Sequence, residues 1–127
     1  MSVNDEMYEA GLAKRRKVIG DSYVENVLSQ VTEFDEKWQR ILTTYCWGEV
    51  WTGSVLTDRQ RSLHNLCLLA ALGKMQEFET HMRGALRNGC TAEEISETLI
   101  QVAVYAGVPT GVDAFRIAKR VLAEAAA

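Results

Sequence analysis

Histidine, cysteine and proline are scarce in this chain of 127 residues, which holds two, three and one of them. Each scarcity excludes something. Cys46, Cys67 and Cys90 are odd in number and widely spaced. They compose neither a C-x-x-C pair, nor a zinc pattern, nor the disulfide framework of a secreted domain. Reduced thiols are the expectation, with Cys67 a small core residue. The two histidines show no H-E-x-x-H or H-x-H spacing, so no metal centre is expected. The lone proline, beside many Ala, Leu, Glu and Arg residues, favours helix over sheet. Net charge is also small, −3, which gives no general attraction for nucleic acid or an anionic membrane. An anionic small molecule would therefore need a local cationic site. The longest apolar run, residues 66–72, is far too short to span a bilayer. The polar, acidic opening Met1-Ser2-Val3-Asn4-Asp5-Glu6 is not a signal peptide, and the cytoplasm is the expected location.

What is present reads as helix throughout. With 47% hydrophobic and 24% charged residues the composition is that of a globular protein, and the length suits a single domain over 1–127. Asn4 or Asp5 can cap a first helix whose cationic end, Lys14-Arg15-Arg16-Lys17, precedes a stop at Gly20. Asp21 opens a second segment with Val24, Val27, Leu28 and Val31 on one stripe. A third helix carries Phe34, Trp38, Ile41, Leu42 and Tyr45 at spacings of three and four and ends near Trp47-Gly48. The two glycines bracketing residues 48–54 predict a loop there. Thr57-Asp58-Arg59-Gln60 is a capping box for a fourth helix to about Leu72. Its second half, apolar on every side, predicts burial all round, in the core or against another subunit. Gly73 permits a break before a fifth helix that Asn88-Gly89 ends. Thr91-Ala92-Glu93-Glu94 caps a sixth, with Ile95, Leu99, Val102 and Ala103. Residues 105–109 break the chain before a last helix over about 110–125. The expectation is a compact all-α domain of six to seven helices.

Chemistry has few places to reside. Glu77 and His81 lie four residues apart, hence on one helix face. They are either a surface pair or a general acid/base whose imidazole is oriented by the carboxylate. Trp47 and Trp51, with Glu49 between them, are either core packing or an aromatic pocket wall with one polar element. Arg61 directly precedes the buried half of its helix, which makes it the better candidate than Arg15, Arg16 or Arg59 for gripping a carboxylate. His64 reads as a packing residue.

Tyr45-Cys46-Trp47-Gly48-Glu49-Val50-Trp51, Arg61-Ser62-Leu63, residues 77–81, Ala85-Leu86-Arg87-Asn88-Gly89 and Tyr105-Ala106-Gly107-Val108-Pro109 occur in this order and spacing, preceded by Tyr8-x-x-Gly11, Arg15-Arg16 and Ile19-Gly20-Asp21. Together they resemble the gamma-carboxymuconolactone decarboxylases across nearly the whole chain. The resemblance implies an alkylhydroperoxidase D-like helical fold, assembled as a homo-oligomer, commonly a hexamer. It implies a cofactor-free carboxy-lyase acting on a small dicarboxylate lactone in the beta-ketoadipate pathway. Peroxidase relatives carry C-x-x-C with a His four residues later; here Lys74, Glu77 and His81 take those positions, so a dithiol cycle has no thiols to run on. Members often show Arg-Pro-Gly where this chain has Gly53-Ser54-Val55.

Overall fold

The computed structural model describes residues 2–127, and its elements are helical, with no strand among the described residues. They are α1 (Val3–Ile19), α2 (Asp21–Ser29), α3 (Glu36–Ile41) with a π-helical continuation (Leu42–Val50), α4 (Asp58–Ala71), α5 (Met75–Arg87), α6 (Ala92–Ala106) and α7 (Val108–Ala126). Among the described residues no helix is long and apolar enough to cross a membrane. The chain forms two compact units, one running to Thr57 and one from Asp58 to Ala127.

In the first unit α1 packs against the π segment and α2. Its cap is Ser2, not Asn4 or Asp5. The Ser2 hydroxyl accepts from the Asp5 amide at 3.2 Å, while the Asp5 carboxylate accepts back from the Ser2 amide. Gly20, at φ 94°, turns the chain from α1 into α2. The sequence-predicted loop over 48–54 is a helical continuation through Val50, closed by a bond from the Trp51 amide to the Cys46 carbonyl five residues back. In this segment Thr43, Thr44, Trp47, Gly48 and Trp51 are buried, while Phe34, Trp38, Ile41 and Tyr45 of the expected stripe are exposed. Glycine is required here for contact, not for a loop. A Cβ on Gly11 would lie 2.8 Å from the Gly48 amide nitrogen, and one on Gly48 would overlap the Met7 carbonyl oxygen. Backbone of α1 therefore lies directly on backbone of the π segment.

The second unit is four helices around one core. Leu66, Phe78, Met82, Ile95, Leu99 and Val121 are fully or almost fully buried, with Ala70, Ala85, Ala114 and Ala118 letting the helices close up. Each large side chain so buried contributes about 1.5–3 kcal/mol. The connections match their sequence signals: Gly73 and Gly89 hold positive φ, Thr91 and Glu94 form the capping box, and Gly107 ends α6. Asn88, just past α5, donates to the buried Ser62 hydroxyl at 2.9 Å and so fastens the end of α5 to α4. The second half of α4 departs from expectation. Leu66 and Ala70 are buried, but Leu68 and Leu72 are exposed within this chain, because α5, α6 and α7 cover only one side of the helix.

Candidate functional site

The second unit buries an imidazole. Phe78, His81, Met82 and Ala85 follow the 3, 4, 7 spacing of one helical face, and that face of α5 is the one turned into the core. His81 is consequently 8% exposed. Burial disfavours the charged ring and brings its pKa from 6.5 down to about 4, so the imidazole is neutral at pH 7. Its Nδ1 lies 3.4 Å from the side-chain amide nitrogen of Asn65 on α4.

Arg61 stands one helical turn before Asn65 on the same side of α4 and is half-buried. Asn65 and His81 meet where α4 packs on α5, and Arg61 lies one turn before Asn65 along α4. Arg59 and Arg16, the other arginines weighed for a carboxylate grip, are engaged within their own units. Arg59 pairs with Glu94, and Arg16 pairs with Glu25 at 2.5 Å and Asp21 at 3.8 Å. Arg15, the remaining candidate, is 4% exposed although it stands near a helix end. It donates to Gln39 at 3.0 Å and to the Thr43 hydroxyl at 3.1 Å, inside the first unit.

Glu77 is not brought into contact with the imidazole. It is exposed and makes no hydrogen bond or ion pair among the described residues. Four-residue spacing puts two side chains on neighbouring lines of a helix, but the boundary between core and solvent runs between these two. The ion-paired carboxylate of α5 is instead Glu79, which meets Arg83 and Arg120, with Glu124 completing a surface network. The imidazole's amide neighbour, Asn65, was missed in the sequence. The available signal was an asparagine in mid-helix, a poor helix former, one turn after a candidate arginine.

Trp47 and Trp51 belong to the first unit. They stack on each other with centroids 5.0 Å apart and planes at 26°, each 4% exposed, against Val18, Ile19 and Val24. Core packing thus occupies both rings, and Glu49 between them points to the surface. The three thiols are free, and burial raises the pKa of each, so none is a thiolate at pH 7. His64 is exposed on a groove of about 400 Å³ that Cys67, Val102 and Tyr105 also line. A second apolar groove, about 610 Å³, runs along α6 and α7 past Leu99, Phe115 and Lys119. His81 lines neither. Among the described residues no three His, Cys, Asp or Glu side chains converge as a metal site.

A neutral, sheltered imidazole suits a reaction in which negative charge moves onto an oxygen, and the arginine one turn before its amide neighbour is a candidate grip for an anionic substrate. The chain is 34% identical over 120 residues to 4-carboxymuconolactone decarboxylase of Acinetobacter baylyi, covering 94% of this chain and 90% of that one. It is 35% identical over 125 residues to the nitrosuccinic acid decarboxylase of Metarhizium robertsii, covering 95% and 87%. A 44-residue stretch is 32% identical to 4-carboxymuconolactone decarboxylase of Pseudomonas putida, covering 35% of this chain and 92% of that one. With residues 36–120 also matching that family's sequence profile, this chain belongs to the carboxymuconolactone decarboxylase family.

Proposed function

We propose that this decarboxylase converts 4-carboxymuconolactone to 3-oxoadipate enol-lactone and carbon dioxide, without a cofactor, in the protocatechuate branch of the beta-ketoadipate pathway. The observation that carries the reading is the buried, neutral His81 beside the Arg61 turn of α4, in a chain whose relatives decarboxylate small acids. In this reading the enzyme works in the cytoplasm as a homo-oligomer, a hexamer. Exposed apolar residues such as Leu68 and Leu72 support the assembly.

The substrate is a dianion, with one carboxylate on the lactone ring and one on a side chain. The bond from the ring carbon to its carboxylate breaks and carbon dioxide leaves. The electron pair runs through the ring alkene onto the lactone carbonyl, giving a dienolate, and a ring carbon then takes one proton. The conjugated carbonyl is itself the electron sink. Arg61 holds the carboxylate that stays, through two parallel hydrogen bonds. His81, being neutral, acts through its N–H as a hydrogen-bond donor to the developing oxyanion and not as a cationic acid. Asn65 replaces Glu77 as the group that fixes the ring. Trp47 and Trp51 serve as packing, and Glu49 has no role in this chemistry.

Nitrosuccinate is the second reading, motivated by the 35% identical relative. It too is a dicarboxylate with an electron-withdrawing group, so the same donor and guanidinium would serve. Purified protein given each acid separately, with carbon dioxide release followed, decides between them. Turnover of the lactone alone or in strong preference supports the proposal. Turnover of nitrosuccinate alone assigns the second reading, and release from neither acid overturns both.

A further inference from the structure

We propose that Asn65 donates its side-chain N–H to Nδ1 of His81 and thereby holds the ring in the tautomer that carries its proton on Nε2. An amide nitrogen has hydrogens to give and no lone pair to offer, so a ring nitrogen facing it must be the acceptor. Nδ1 faces the Asn65 amide nitrogen at 3.4 Å, in a contact that is part-buried. A neutral imidazole has one hydrogen to place. With Nδ1 accepting, that hydrogen sits on Nε2, on the far side of the ring from α4.

Both partners are held in position by secondary structure. His81 lies in the middle of α5 among Phe78, Met82 and Ala85, and Asn65 lies mid-way along α4, one residue before the fully buried Leu66. Asn88 bonded to Ser62 fastens the same pair of helices one turn away from Asn65. The contact is thus set by the packing of α4 on α5. Burial adds that the ring does not escape the choice by taking a second proton at neutral pH. Asn65 is a positioning residue: it touches the imidazole, which in the functional reading above is the group that meets the substrate. Its catalytic consequence rests on the functional reading above, whereas the tautomer itself does not.

The test reads the two separately. Nitrogen NMR of the histidine side chains, on wild type and on Asn65→Asp without substrate, reports which ring nitrogen of His81 is protonated. Asparagine to aspartate keeps the shape and exchanges the donor for a carboxylate, which also favours the charged ring; read at a pH above that ring's titration, the neutral imidazole should turn from Nε2–H in wild type to Nδ1–H in the variant. Steady-state kinetics on 4-carboxymuconolactone should then show kcat lower by about 10²-fold, the effect of one lost oxyanion donor, with KM nearly unchanged. A loss confined to stability, with tautomer and kcat unmoved, would reduce Asn65 to a packing residue and overturn the proposal. A wild-type ring protonated at Nδ1 would overturn it as well, since the amide would then present its oxygen; that spectrum decides alone if Asn65→Asp fails to fold. Absence of any decarboxylation with the expected tautomers in place would count against the functional reading and leave the Asn65 assignment standing.

Discussion

Each half of the chain buries a nitrogen-bearing side chain, Arg15 before Thr57 and His81 after it, and the two burials have opposite electrical outcomes. A guanidinium cannot shed its proton in a protein, so Arg15 stays charged and is met by Gln39 and Thr43. An imidazole can, and His81 does, with its pKa brought to about 4. The first unit spends its unusual residues on contact: two glycines for backbone approach, two tryptophans for a stacked core, an arginine to cross-link α1 to the π segment. The second unit keeps its one buried imidazole uncharged. The difference separates residues that hold a shape from a residue able to take part in a reaction, although the two groups look equally distinctive in the sequence.

The sharpest way to break the comparison is to remove the imidazole. His81→Ala should lower turnover of 4-carboxymuconolactone by about 10²- to 10³-fold, or roughly 3–4 kcal/mol of barrier, with the circular dichroism spectrum unchanged. Turnover within a few-fold of wild type would place the chemistry elsewhere.

Acid stability sharpens it next. The folded pKa of His81 lies below its unfolded value of 6.5, so as pH falls the unfolded chain takes the proton first. The stability that comes from keeping the ring neutral is fully present above 6.5 and is lost on the way down to about 4. The loss is on the order of 3 kcal/mol. Carboxylates titrate in part of the same window, so the quantity to measure is the difference between wild type and His81→Gln in denaturant unfolding at each pH. That difference should shift by most of this amount between the two limits. A flat difference would mean the ring is charged, or solvated, in the folded state.

The smallest expected effect probes the other unit. Gly48→Ala puts a methyl group against the Met7 carbonyl, and backbone must move to admit it. Overpacking of this kind costs about 1–3 kcal/mol. A lowered melting temperature with unaltered chemistry per folded molecule is the expected result. An unchanged melting temperature would show that α1 and the π segment are not held in backbone contact.

Helix ends were the most legible part of the sequence because their signals are local. Thr91 with Glu94 needs only four residues to form its box, and Gly20, Gly89 and Gly107 mark stops that any flanking sequence would respect. The π segment was illegible for a related reason. A count at spacings of three and four runs on from Phe34, Trp38 and Ile41 to Tyr45, whereas beyond Leu42 the wider turn takes over and the buried side chains are Thr43, Trp47 and Trp51. Gly48 read as a loop residue because a sequence does not say which backbone will lie against it. At the site, spacing put Glu77 and His81 on one face correctly but could not locate the edge of the core, and only His81 falls inside it. Asn65 is a tertiary partner, sixteen residues away on another helix, and no local pattern links the two.

The charge state of one ring is decisive, and an NMR-monitored pH titration of His81 in the folded wild-type chain measures it. The ring signals should stay constant as pH is lowered through 6.5 and move only near 4. A midpoint at 6.5 or above would show an imidazole open to water or paired with a carboxylate, and would contradict the reading of His81 as a neutral donor.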